Sequence, residues 1–295
     1  MANTKTVLIT GASRGIGRLA ALTLAANGHK VYAGMRDIVG RNQKAAADLR
    51  AQAMADGLDL SPLELDVSDE QACQTAIDTI EVQGPLDVLV NNAGVMPVGL
   101  TEAFTMEQTV DVFDVNLYGI MRLTRAALPN MRARKSGLVI NLSSSAGRFG
   151  MPYFGIYCAS KWAVEAYTEA LHHELETFGV DCVLIEPSGH GTDLVGTAPA
   201  PQDTERLDAY GDLAAGRERL LAMFEHMFET DLNGTDANNV ATSISKVIEM
   251  TGGRPMRVQV GHDMGVSAVN DAVAPIQAKL IDMLKPVYRG EVPDT

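Results

Sequence analysis

Tyr157 and Lys161 stand four residues apart in Tyr157-Cys158-Ala159-Ser160-Lys161, at the start of a stretch whose pattern reads as helix to about Phe178. Residues i and i+4 share a helix face, so this spacing sets an ammonium beside a phenol. Positive charge favours the phenolate and lowers the phenol's pKa, which would make the tyrosine a proton donor and acceptor. An unassisted phenol titrates near pH 10, and lowering it by about 3 units takes roughly 4 kcal/mol. The spacing is common in helices, so its meaning depends on what else converges on it.

A second motif has a different chemistry. Thr10-Gly11-Ala12-Ser13-Arg14-Gly15-Ile16-Gly17 joins an apolar run to a helical pattern. Glycines there allow a tight turn and close approach of backbone to a pyrophosphate, whose charge is met by free N–H groups at the helix N-terminus. Asp66-Val67 ends another apolar run and Asn91-Asn92-Ala93-Gly94 a further one. Both fall at the carboxyl edge of the expected sheet, where such folds bind ligands. Three loops therefore face one crevice.

The elements that must position these groups are visible as short apolar runs at 6–10, 30–33, 63–65, 86–90, 138–142, 180–185 and 256–260, separated by helical patterns. Runs with little alternation suit strands buried on both faces, and seven of them predict a single doubly wound Rossmann-type α/β fold, its parallel sheet flanked by helices on both faces. Ser68 with Gln71 forms a possible capping box, and Gly28, Gly57, Gly84 and Gly179 sit where helices should end. Between about 193 and 236 the rhythm lapses. Residues 205–231 read as a helical insertion with Leu207, Tyr210, Leu213, Leu221, Phe224 and Phe228 mostly on one side.

With TGxxxGxG at 10–17, an aspartate after the third strand, NNAG at 91–94 and YxxxK at 157–161, the sequence resembles the shorter-chain branch of the short-chain dehydrogenase/reductase family over roughly residues 5–192. The second strand and the YCASK stretch are similar to steroid and retinoid dehydrogenase-like members. The resemblance implies a catalytic tetrad of Asn116, Ser144, Tyr157 and Lys161, with Ser144 thirteen residues before Tyr157. In carbonyl reduction Ser144 would donate a hydrogen bond to the substrate oxygen while Tyr157 protonates it as hydride arrives, the roles reversing in oxidation. Lys161 would also bind the nicotinamide ribose, and Asn116 would hold a water on a proton path. Asp66 would contact adenine, and the loop Asn92, Ala93, Gly94 would support the adenine ribose. Pro187-Ser188-Gly189-His190-Gly191-Thr192 takes the place of PGxxxT, with Ser188 where glycine is usual. Its backbone freedom is expected from Gly189 instead. Implied cofactor contacts are thus Gly11, Ser13, Arg14, Gly15, Ile16, Gly17, Arg36, Asp66, Val67, Asn92, Ala93, Gly94, Tyr157, Lys161, Pro187, Gly189 and Thr192. Relatives pair through helices corresponding to 105–134 and 157–178, so a homodimer or homotetramer is expected.

Cofactor choice is written at the end of the second strand, where a carboxylate would bind the ribose hydroxyls of NAD. Here Met35 holds that place and Arg36 follows. Arg36 and Arg14 offer planar, charge-assisted donors to a 2′-phosphate, so NADP is expected, with NAD the weaker alternative. Met96, Phe149, Met151, Tyr153 and His190, with the apolar side of the insertion, are expected to line a lidded pocket for a hydrophobic ketone, aldehyde or secondary alcohol.

The 46% hydrophobic and 21% charged composition of the 295 residues suits one compact domain spanning 1–295. A net charge of -13 argues against nucleic acid and anionic membrane surfaces as partners. No run approaches the roughly 18 apolar residues of a membrane span, and a cytoplasmic location is the expectation. Cys73, Cys158 and Cys182 lack metal-ligand spacing, and adjacent His172 and His173 point to different helix faces, so no metal site is expected. Cys158 reads as a packing thiol facing away from substrate. The sequons at Asn141 and Asn233 read as chance. The serine run lacks a GxSxG elbow, which sets a hydrolase aside, and the glycine spacing disfavours nucleotide-sugar epimerases. The competing reading is a non-catalytic NADP-binding sensor or scaffold.

Overall fold

A computed structural model of the chain describes residues 4–232 and 234–291; Asn233 of the second sequon lies outside them. The strands are β1 (Thr6–Thr10), β2 (Lys30–Met35), β3 (Leu60–Glu64), β4 (Val88–Asn91), β5 (Gly137–Leu142), β6 (Val180–Pro187) and β7 (Arg257–Val260). They form one seven-stranded sheet in the order β3-β2-β1-β4-β5-β6-β7, every pair parallel. The order reverses direction between β1 and β4, and this switch point opens the crevice at the carboxyl edge.

Because successive strand side chains face opposite ways, each apolar run feeds two cores. Val7 and Ile9 join Val88, Val90 and Ile140 under α1 (Gly15–Ala26), α2 (Gln43–Asp56) and α10 (Asn238–Glu249). Leu8, Leu89 and Val139 pack on the other face with residues of α3 (Glu70–Glu81) and α5 (Gly119–Ala133). Both faces are covered, which is why the runs lacked alternation.

Strand β3 begins three residues earlier than the apolar signal. Its Pro62 lacks an N–H, and this is tolerated because β3 is an edge strand paired only with β2. The four helix-ending glycines all have positive φ, from 63° to 152°. The expected capping box is not formed: Asp69 caps α3 by accepting from the Ala72 N–H at 3.0 Å, while the Ser68 hydroxyl donates to Asp66 at 2.7 Å. No helix among the described residues is long and apolar enough to cross a membrane.

The insertion is three helices, α7 (Asp193–Gly196), α8 (Thr204–Asp208) and α9 (Gly216–Thr230). Its expected single apolar side is split. Leu221 and Phe224 pack inward, whereas Leu213 is 56% exposed and Tyr210 36%, because a tight turn at Gly211–Ala215 interrupts the helix.

Candidate active site

The expected catalytic pair is placed by α6 (Gly155–Leu175), which packs on β6 and starts at the cavity. Tyr157 and Lys161 are both buried there, with the Lys161 Nζ 5.8 Å from the Tyr157 ring centre and donating to the Leu142 carbonyl at 2.7 Å. Ser144 leaves the end of β5. Its hydroxyl accepts from the Ala146 N–H at 3.1 Å and lies beside the Tyr157 hydroxyl. Asn116 sits in a widened helical turn, Asp114–Tyr118, between α4 (Met106–Phe113) and α5. Such π-type turns frequently mark functional positions in helices. Its side chain accepts from the Val95 N–H at 2.8 Å and donates to the Val95 carbonyl at 2.9 Å and to Ser160 at 3.0 Å. Fully buried, it ties α6 to the loop after β4 and does not reach the cavity wall.

The glycine loop matches the needs of a dinucleotide. Gly11 and Gly15 have φ of 68° and 54°, and a Cβ on Gly17 would collide with the Gly11 carbonyl and stand 2.5 Å from Asn92 Nδ2. The N-terminus of α1 has no side-chain cap, which leaves its N–H groups for an anion. Thr10 Oγ1 accepts from the N–H groups of Asn92 and Ala93, each at 2.9 Å, and so locks NNAG to the loop. Gly11, Gly15, Gly17, Asn92, Ala93 and Gly94 line one cavity of about 1440 Å³. Pockets for single small ligands run to about 1,000 Å³, so this one has room for a dinucleotide and a substrate.

Every expected cofactor residue lines that cavity, as do Ser144, Met96, Met151, Tyr153 and His190. Phe149 does not. Its ring turns towards Gly265, with Cζ 3.7 Å from where a Cβ there would stand. Gly189 has no positive φ and neither does Ser188, so the loop after β6 needs no left-handed residue at either place. What Gly189 supplies is space: a Cβ would stand 2.9 Å from Met227 Cε of α9.

A family model described as "short chain dehydrogenase" matches residues 5–203. The chain belongs to the short-chain dehydrogenase family. It is 31% identical over 256 residues to a 3-ketodihydrosphingosine reductase of Bacteroides thetaiotaomicron, covering 86% of this chain and 87% of that one. It is 37% identical to human retinol dehydrogenase 8 over 228 residues, 74% of this chain and 71% of the other. A solved short-chain dehydrogenase/reductase of Burkholderia phymatum in complex with NAD matches with a TM-score of 0.75 and 27% identity, covering 94% of this chain and 96% of that one. An oxidoreductase with a nicotinamide cofactor is thus the class of this protein.

In this short-chain dehydrogenase the electrostatics depart from one simple expectation. Burial pushes the Tyr157 phenol up to about 12, the Ser144 hydroxyl opposing it, and pulls Lys161 down to about 8, with Glu165 opposing. Burial is the dominant influence on the phenol, so Tyr157 holds its proton at neutral pH in the chain alone. Asp66 is raised by burial but ends below the usual carboxylate range, held there by the Ser68 hydroxyl and N–H and then by Arg36 and Arg41. His190 is lowered mainly by burial, and its Nδ1 lies 2.9 Å from the Ser188 carbonyl, so it is neutral. Cys158 packs among Phe154, Ala146 and Val98, and burial raises its thiol, which suits an inert role.

Sequence reasoning missed Arg41 and Asn42, which line the cavity beside Arg36, and Leu220, Met223, Met227, His262 and Met264 at its other end. Arg41 follows a turn closed by Asp37, whose carboxylate accepts from the Arg41 N–H at 2.7 Å. Such Asx turns at an expected strand end are readable. The His262–Met264 loop follows β7, and the rule that ligands meet the carboxyl ends of strands would have included it.

Proposed function

We propose that this short-chain dehydrogenase uses NADP and moves a hydride between nicotinamide and a hydrophobic ketone, aldehyde or secondary alcohol. The observation that carries this reading is that the adjacent Ser144 and Tyr157 line one cavity together with the glycine loop and with Met96, Met151, Met223, Phe224, Met227 and Met264. When bound, NADPH supplies the hydride. Ser144 donates to the substrate oxygen, Tyr157 delivers the proton, and Lys161 orients both the phenol and the ribose. A phenol that keeps its proton at neutral pH suits reduction.

The NADP preference is supported by Arg36, Arg41 and Arg14 around the adenosine end and by the lack of a cavity-lining carboxylate at the end of β2. The nearby acid, Asp37, is spent on the Gly40–Arg41 turn. Helix α9 and the turn before it support a lid: Arg217 donates to the Val98 and Ala198 carbonyls at 2.9 and 2.8 Å, and the Tyr153 hydroxyl donates to the Leu213 carbonyl of the turn at 2.7 Å. Flexible thioether side chains suit a pocket that adapts to bulky apolar substrates. Met106, Val110, Tyr118, Trp162 and Phe178 stay exposed on the segments from 105 to 134 and 157 to 178, which supports pairing of copies there.

The test is oxidation of NADPH and NADH against small, aromatic and steroid-like ketones. Turnover that is fastest with NADPH and a bulky ketone is expected. Tight NADPH binding with no turnover over the whole panel would instead identify a cofactor-binding sensor.

A further inference from the structure

Behind Lys161, away from the cavity, lies a set of charges that the proposed mechanism does not use. Glu165 follows Lys161 by one helical turn and is 3% exposed; Glu186, at the end of β6, is wholly buried. Arg257 of β7 bridges them, its Nε 2.8 Å from Glu165 Oε2 and 3.6 Å from Glu186 Oε1, while its Nη2 reaches Glu169 at 2.7 Å. Arg148, in the loop after β5, stands 3.9 Å from Glu165 and 4.0 Å from Glu186. From α11 (Val266–Tyr288), Asn270 donates to Glu186 at 2.7 Å and Gln277 to Glu169 at 2.9 Å.

The cluster holds three carboxylates and two guanidiniums, so it carries one uncompensated negative charge when all are ionised. Lys161 is the adjacent buried cation. The other elements around it bring the Leu142 carbonyl from β5, Asn116 and Gly94, none of them charged, and Tyr157 and Glu165 face it from its own helix. A purely structural ion network would satisfy its members, because unpaired buried polar atoms are costly. Here Glu165 Oε1, Glu186 Oε1, Arg148 Nε and the neighbouring Ser143 Oγ are all buried without a hydrogen-bond partner.

We propose that Glu165, backed by Glu186, Arg148 and Arg257, is a positioning residue that keeps Lys161 an ammonium inside the protein. The proposal rests on the reading of Tyr157 and Lys161 as the reacting site. Its local logic is that a buried lysine loses its proton readily unless a negative charge stands near, and Glu165 is the acid one turn away. The direction of the lysine's titration agrees: burial pulls it down and Glu165 is the group that resists. Glu186 is raised to about 7, first by burial and then by Glu165, so it is the member of the cluster that can take up a proton near neutrality.

The test uses the full chain with NADPH and its best ketone, comparing Glu165→Gln, Glu165→Asp and Glu186→Gln with the native protein. Glu165→Gln is expected to move the alkaline limb of kcat to lower pH by about one unit, with the KM for ketone changed less than about twofold. Glu165→Asp should return the limb most of the way. Glu186→Gln keeps the shape, so it serves as the second variant if Glu165→Gln does not fold; it should move the limb the same way by a smaller amount. A limb unmoved in every variant that folds, with kcat lowered equally at all pH values, would overturn the proposal in favour of a structural role. Tyr157→Phe is run beside them: full turnover in that variant would instead remove the underlying reading of the site.

Discussion

Replacing Arg36 and Arg41 tests the cofactor reading at the point where sequence and structure give different weight. Both side chains are exposed, and among the described residues their charges reach Asp66 without a direct ion pair. Each is therefore free to serve a phosphate. A hydrogen bond to a charged group contributes about 1.5–3 kcal/mol, and exposure favours the lower figure because solvent and salt screen the pair. Arg36→Ala and Arg41→Ala should each weaken NADPH binding roughly tenfold, since about 1.4 kcal/mol is a factor of ten. The double variant should lose less than the product, because both arginines address one phosphate and share its charge. NADH binding should stay within about twofold. Titration of each cofactor into the four proteins at low and high salt gives the comparison, with the NADPH differences shrinking at high salt. Parallel loss of NADH and NADPH affinity would refute the reasoning, since it would mean that the arginines hold the loop rather than the phosphate.

Gly17→Ala places a methyl against the Gly11 carbonyl and Asn92, so NADPH affinity should fall by at least about tenfold and the melting temperature by several degrees, measured by titration and calorimetry. Carbonyl reduction should be flat across neutral pH and decline above about 8. The burial-lowered Lys161 carries its charge below that value and loses it above, so a rate that rises through pH 8 to 9 would contradict the assignment. Alcohol oxidation should instead climb with pH, because it needs the Tyr157 phenolate that burial disfavours. Phe224 stacks with Phe228 and meets Phe154 edge-on, so Phe224→Ala should raise the KM of a bulky ketone about tenfold and leave NADPH binding unchanged.

The sheet was legible because its strands are buried on both faces: Val7 and Ile9 feed one core and Leu8 the other, and that arrangement writes a plain apolar run. The crevice expected to hold the cofactor follows a related rule, since it is lined by loops at strand ends whose composition is constrained by backbone approach, as at Gly17. Less was readable where side chains from distant segments meet. Phe149 lies in the loop after β5, whose neighbours Ala146 and Met151 line the cavity, yet only the course of the chain into α11 shows that its ring turns to Gly265. Arg41 was hidden behind Arg36 because a local turn, closed by Asp37, brings it back to the crevice. The insertion deceived for a different reason: six apolar residues at helical spacing suggested one continuous face, but Gly211, at φ 54°, begins a turn that sends Leu213 to solvent. The charge cluster behind Lys161 was only half visible: Glu165 and Glu169 follow the lysine at four-residue steps on α6, but Glu186, Arg257 and Arg148 come from β6, β7 and the loop after β5, and no spacing in the chain relates them to that face.

The central claim is that Tyr157 transfers the proton in a nicotinamide-dependent carbonyl reaction. Single-turnover reduction of a bulky apolar ketone by NADPH, in the native chain and in Tyr157→Phe, tests it most directly. Removing the hydroxyl deletes the acid while leaving ring, cavity and cofactor contacts in place. The account predicts a rate lowered at least about a hundredfold with the NADPH dissociation constant within about twofold, since acid–base catalysis contributes roughly 10²–10⁴. A variant that reduces the ketone at the native rate would contradict it.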